Sequence, residues 1–268
     1  MDIQIETIKT KSFSMDYFRF GHGEKTLVIL PGLSVQSVMG FADSVAQAYR
    51  PLTDDFTVYV FDRRKELPEA YSVYDMARDT ADAFRALGLD RIDLFGASQG
   101  GMIAQVIAIE QPELIHRLAL GSTTARVDEA RFELFERWIR LAKAGDRVEL
   151  YLAFGEAIYP PSVFESSRAL LMEAAGTVTN ADLRRFIILA EGTRGFDISD
   201  RLDGIACPVL VLGSKDDRVL GADASEMIAK RLGPRAALYM YDGYGHAAYD
   251  TAPDYRERLL RFLVAEEE

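Results

Sequence analysis

Five short apolar runs recur along the chain, and between most of them lies a segment with helical spacing. They read "TLVILPG" (26–32), "FTVYVFD" (56–62), "RIDLFG" (91–96), "IHRLALGS" (115–122) and "CPVLVLGSKDD" (207–217). The first two are continuously apolar, which fits strands covered on both faces. A helical stretch is expected at about 35–50, and another over 72–89. In the second, Val73, Met76, Ala77, Thr80, Ala83, Phe84 and Leu87 follow a helical period and Gly88 can end the helix. A third helix over 99–112 is closed by Pro112. Strand and helix in alternation predict a mostly parallel sheet with helices on both faces.

The flanks complete this scheme. Residues 2–9 and 12–20 alternate polar and apolar, as strands at a sheet edge do. From 123 to 199 the alternation stops. Helical segments are expected at 129–145, 164–176 and 180–192, with no convincing strand among them. After the run at 207–217 come a helix at 225–233, a strand at 236–243 and a helix at 253–268. The expected organisation is one α/β core built from 1–122 and 200–268, interrupted by a helical insertion at 123–199. At 268 residues and 49% hydrophobic, the chain is long enough to bury such a core.

Composition narrows the partners. The formal net charge is -11 with no basic run to offset it, which argues against nucleic acid. No window approaches the ~18 continuous apolar residues of a membrane span. The only cysteine, Cys207, cannot form an intrachain disulfide and is expected to be a small buried residue at the start of a strand. The N-terminal "MDIQIETIKTKSF" lacks the apolar stretch of a signal peptide, so a cytoplasmic protein is expected.

Chemistry concentrates in "IDLFGASQGGMIAQ", residues 92–105. Ser98 stands in Gly-x-Ser-x-Gly between an apolar strand and a helix. That turn can hold a serine in a strained conformation with its hydroxyl exposed. The N-terminus of the following helix also favours developing negative charge. A serine hydroxyl needs a base, a group that orients the base, and donors for an oxyanion. The chain has three histidines. His22 lies in a polar turn, His116 at the start of a strand, and His246 on a glycine-flanked loop after the last strand. Ligands in open parallel sheets are handled at the carboxyl ends of strands, so His246 is the candidate base. The orienting acid is Asp216 or Asp217, after the strand at 207–217. The oxyanion donors are expected to be the backbone N–H groups of Gln99 and Leu33, the latter in the loop "LPGLSVQ".

These segments resemble the α/β-hydrolase superfamily over nearly the whole chain. "LVILPG" is similar to the family's strand and oxyanion loop, with Pro31 where a histidine is usual. "GASQGGMIAQVIAIEQPELIHRLALGS" resembles its nucleophile segment, "CPVLVLGSKDDRV" its acid strand and "YGHAAYDTAPDY" its histidine loop. Counting from Gly213 in the family's Gly-x-x-Asp pattern, the resemblance implies Asp216 as the acid. It also implies that 123–199 is a cap. The segment "DRRKELPEA" lacks the glycines many members carry there, and "GASQG" is nearer to the "GASMGG" of some small-molecule esterases than to the "GGSWG" of proline iminopeptidases. The expected protein is a serine hydrolase of small carboxylic esters, with no metal or organic cofactor. Alternatives with the same residues are a carbon–carbon hydrolase, a thioesterase or a lactonase. An alternative of another class is a ligand-binding signalling protein with a slow triad.

Overall fold

A computed structural model describes residues 3–265. Eight strands form one sheet: β1 (Ile5–Lys9), β2 (Ser14–Gly21), β3 (Lys25–Leu30), β4 (Phe56–Arg64), β5 (Ile92–Ala97), β6 (Ile115–Gly121), β7 (Val209–Ser214) and β8 (Ala236–Tyr241). Their spatial order is β1-β2-β4-β3-β5-β6-β7-β8. β1, β2 and β4 pair antiparallel, and every pairing from β4 through β8 is parallel. This is the mostly parallel sheet the alternation predicts.

Side chains of successive residues in a strand point to opposite faces, so each central strand feeds two cores. Val28, Leu30, Leu94, Leu118, Leu120 and Val211 pack on one face. Leu27, Ile29, Phe95, Ala97, Ala119 and Leu212 pack on the other. The first face is covered by α2 (Val73–Ala86), α3 (Gln99–Glu110) and α8 (Ala222–Leu232), and the second by α1 (Ala42–Ala48) and α10 (Tyr255–Val264). Ser72 starts α2 with a reciprocal capping box, its hydroxyl accepting from the Asp75 N–H while the Asp75 carboxylate accepts from the Ser72 N–H. The strand expected at 2–9 and the helix expected at 253–268 each run past the described residues, at Asp2 and at Glu266, Glu267 and Glu268.

Between β6 and β7 the chain forms α4 (Glu129–Ala144), α5 (Arg147–Ile158), α6 (Pro161–Gly176) and α7 (Asn180–Glu191). The two ends of this excursion run side by side. Arg126 and Asp197 form an isolated antiparallel bridge, the Val127 N–H donates to the Phe196 carbonyl at 2.8 Å, and the Ile198 N–H donates to the Ala125 carbonyl at 2.9 Å. α5 was not expected from the sequence. Its "VELYLAFGEAI" is apolar nearly all round, so no face stands out. The last short helix, α9 (Ala248–Thr251), was not expected either. Among the described residues no helix is long and apolar enough to cross a membrane.

Candidate active site

β5 delivers Ser98 to a sharp turn at the carboxyl end of the sheet. Ser98 has φ 51° and ψ −119°, one of three non-glycine residues with positive φ among those described. An L-residue held there is strained, and the surrounding contacts hold it. The Ser98 N–H donates to the Gly121 carbonyl at 2.8 Å, and the Ser98 carbonyl accepts from the Gly101 N–H at 2.9 Å and the Thr123 hydroxyl at 2.7 Å. Position 100 must be glycine for steric reasons. A Cβ there would lie 2.0 Å from the Leu30 carbonyl oxygen and 2.6 Å from that of Pro31.

His246 arrives on the loop between β8 and α9 and is 2% exposed. Its Nε2 lies 2.9 Å from Ser98 Oγ. Gly245 shapes the loop, with φ 64° and no room for a Cβ, which would stand 2.8 Å from the Ile158 carbonyl oxygen. The adjoining Ala247 N–H donates to that same carbonyl at 2.9 Å. On the acid loop, Arg218 donates to the carbonyls of Glu156 and Tyr159, each at 2.8 Å. The C-terminal end of α5 is therefore bonded to both loops.

The acid facing the imidazole is Asp217, which corrects the expectation of Asp216. Nδ1 of His246 lies 3.0 Å from Oδ1 and 2.9 Å from Oδ2 of Asp217. Asp217 is buried, and its Oδ1 also accepts the N–H groups of Val219 at 2.8 Å and Leu220 at 3.0 Å. Burial pushes its carboxyl up, but the facing imidazole and the two backbone donors outweigh that and hold it below the ordinary value of 3.8. Asp216 leaves the backbone in another direction. It accepts from the Ser214 hydroxyl at 2.8 Å and from the N–H groups of Gly243 at 3.1 Å and Gly245 at 3.0 Å. Its burial is likewise outweighed by these donors, and its pKa is lowered. The physical reason for the one-residue difference is the turn after β7: residue 216 faces the histidine loop's backbone and residue 217 its ring.

The other two histidines lie elsewhere. His22 is exposed, 3.7 Å from Asp54. His116 on β6 faces the buried Asp93 of β5 at 2.8 Å.

The loop after β3 closes over the serine. A Cβ at Gly32 would stand 3.1 Å from Ser98 Cβ, and Leu33 lines a cavity together with Ser98 and His246. Gln99 is the first residue of α3. The first N–H groups of a helix lack partners within it, so Gln99 offers a donor beside the serine. The cavity is narrow, about 10 Å³, and the inserted helices supply Phe135, Trp138, Phe154 and Ile158 to its wall. A second cavity of about 500 Å³ adjoins it and shares Leu33, Phe154, Ile158 and Tyr249.

Beneath these loops lies a charged cluster that the sequence did not reveal. Asp62 and Arg63, at the end of β4, are both buried. Asp62 accepts from Arg185 of α7 and from the Ser37 hydroxyl. Arg63 Nη2 donates to the Pro31 carbonyl at 2.8 Å and lies 3.3 Å from Gln99 Oε1. The Gln99 amide in turn donates to the Leu189 carbonyl of α7 at 2.7 Å. Burial lowers the Arg63 pKa to about 10, against the opposing pull of Asp62, and the guanidinium stays charged at neutral pH. The only hint of this cluster in the sequence was the departure of "DRRKELPEA" from the family pattern.

A parallel sheet that delivers a strained serine, a histidine and an aspartate to one end is the architecture of the α/β hydrolases. The chain belongs to that family: the profile described as alpha/beta hydrolase fold matches residues 25–253. Among curated relatives, a protein of Rhizobium rhizogenes is 29% identical over 91% of this chain and 94% of its own length. One of Agrobacterium fabrum is 31% identical over 80% and 85%. Both carry the provisional name carbamate hydrolase RutD. A solved α/β hydrolase from a Medee basin deep-sea metagenome superposes with a TM-score of 0.87 at 20% identity, over 98% of this chain and 99% of that one. That likeness speaks for the fold.

Proposed function

We propose that this α/β hydrolase is a serine hydrolase that cleaves a small carboxylic ester through an acyl-enzyme. The observation that carries the reading is the unbroken hydrogen-bonded chain from Ser98 Oγ through His246 to Asp217 at the floor of an apolar cavity. Ser98 Oγ attacks the carbonyl carbon while Nε2 of His246 takes its proton. Asp217 holds the imidazole with Nδ1 protonated and stabilises the imidazolium. The N–H groups of Leu33 and Gln99 receive the oxyanion. His246 then protonates the leaving alcohol, and a water activated by the same nitrogen releases the acid. The inserted helices act as the cap, since they supply Phe135, Trp138, Phe154 and Ile158 to the cavity wall. No step calls for a metal or an organic cofactor, and the partner is the small-molecule substrate. A cytoplasmic site of action belongs to the same proposal and is checked by cell fractionation.

The name of the curated relatives favours a second reading, a carbamate as substrate. A carbamate presents the same carbonyl to Ser98, and its nitrogen makes both acylation and release slower. A panel of aryl esters graded by acyl length, run beside matched carbamates, separates the two by kcat/KM. Steady turnover that disappears in Ser98→Ala supports the hydrolase reading. Binding without turnover across the panel overturns it in favour of a ligand-binding protein on this fold.

A further inference from the structure

The two donors assigned to the oxyanion belong to separate pieces of chain, the loop after β3 and the first turn of α3. Their spacing decides whether both can reach one oxygen atom. One buried side chain touches both pieces. Arg63 Nη2 binds the Pro31 carbonyl, two residues before Leu33, at 2.8 Å, and lies 3.3 Å from the side-chain oxygen of Gln99. Arg63 is itself fixed at the end of β4, where its N–H donates to Asp62 Oδ1 at 2.7 Å, and Asp62 is held by Arg185.

We propose that Arg63 is the positioning residue of the oxyanion hole, a buried strut that sets the distance between the Leu33 and Gln99 N–H groups. The proposal rests on the serine-hydrolase reading above. A guanidinium suits this place because Nη2 carries two N–H groups on a rigid planar head, one for each acceptor. The backbone carbonyl of Pro31 is an acceptor that side-chain substitution at residue 31 cannot remove. Such a strut acts on the transition state, where the oxyanion forms, and leaves ground-state binding almost untouched.

The test compares Arg63→Met and Arg63→Lys with wild type, using a p-nitrophenyl ester and two inhibitors of one shape. A trifluoromethyl ketone adds to Ser98 Oγ. The serine proton passes to His246, the carbonyl electron pair moves to oxygen, and an oxyanion is left in the hole. The matching secondary alcohol cannot do this. Folded Arg63→Met is expected to lose ~10–100-fold in kcat, the range for a small misplacement of catalytic groups, with KM within about threefold. Its affinity for the ketone should fall by the same factor and its affinity for the alcohol should not change. Arg63→Lys should recover part of the kcat, since an ammonium can still donate to the Pro31 carbonyl. A kcat within about twofold of wild type in the folded Met variant, or a loss shared equally by KM and the alcohol, overturns the proposal. If Arg63→Met does not fold, Gln99→Met removes the second acceptor and keeps the backbone N–H. Its kcat should drop several-fold at constant KM, and an unchanged kcat is equally fatal. Ser98→Ala separates the two levels. If it turns over like wild type, the serine reading fails and the strut with it. If it is dead while Arg63→Met is fully active, only the strut fails.

Discussion

Asp217 meets Nδ1 of His246 with both carboxylate oxygens, at 3.0 and 2.9 Å, while its neighbour Asp216 binds the backbone of the same loop at Gly243 and Gly245. Two adjacent acids thus divide one task, one holding the ring and the other the chain that carries it. Asp217→Asn should lower turnover by ~10⁴ near neutral pH, because an amide can hold the imidazole in the wrong tautomer. Asp216→Ala leaves the Gly243 and Gly245 N–H groups without their acceptor and should cost ~1–3 kcal/mol of stability, with a smaller loss of turnover. Ester hydrolysis and thermal melting, measured on both variants, reverse the assignment if Asp216→Ala is the inactive one.

The same acids set an acid limit on stability. Both carboxyls lie below the ordinary 3.8 in the folded chain, so each contributes stability that is full above that value and fades as the pH falls through its lowered value. In urea melts from pH 6 downward, the stability gap between wild type and Asp217→Asn should hold to about pH 4 and then narrow. A gap that widens in acid contradicts the lowered pKa.

The strain at Ser98 can be read in inactive variants. Ser98→Ala keeps a Cβ at φ 51° and Ser98→Gly does not. The glycine variant should be more stable than the alanine variant by about 1 kcal/mol, relief of strain outweighing the entropy that glycine adds to the unfolded chain. Both should fail to react with a fluorophosphonate. Equal melting temperatures would mean the turn stores no strain.

Steric demand at Gly100 separates it from other helical glycines. Gly100→Ala drives a methyl group to 2.0 Å from the Leu30 carbonyl oxygen, which requires the loop after β3 to move. A loss of ~3 kcal/mol or more and of most activity is expected. Gly176→Ala, at the end of α6 with nothing within 4 Å, should change stability by less than ~0.5 kcal/mol.

Phe154 stands between the narrow cavity and the larger one beside it. Phe154→Ala should join them and shift preference toward longer acyl chains, while Ser98 still reacts with a small fluorophosphonate. Unchanged chain-length preference would mean that the acyl group lies elsewhere.

The sequence made the sheet legible because its central strands are buried on both faces and therefore mostly apolar, as "TLVILPG" is. Ser98 and His246 were legible because local glycines mark tight turns that place a side chain. Asp217 was not, since the direction of a side chain in the turn after β7 depends on the Ser214 and Tyr241 carbonyls, which accept the N–H groups of Asp217 and Lys215. The Asp62–Arg185 pair joins residues far apart in the chain, and nothing local encodes it. α5 carries no helical signature in the sequence because its polar and apolar residues do not separate onto distinct faces.

The end of α5 ties the two loops of the site to each other. Its carbonyls at Glu156, Ile158 and Tyr159 hold Arg218 on one loop and Ala247 on the other. An outward swing of that helix would pull at once on the residue after Asp217 and the residue after His246. The end of α5 and the two loops are thereby one mechanical piece, in which a displacement at any of the three is carried to the other two.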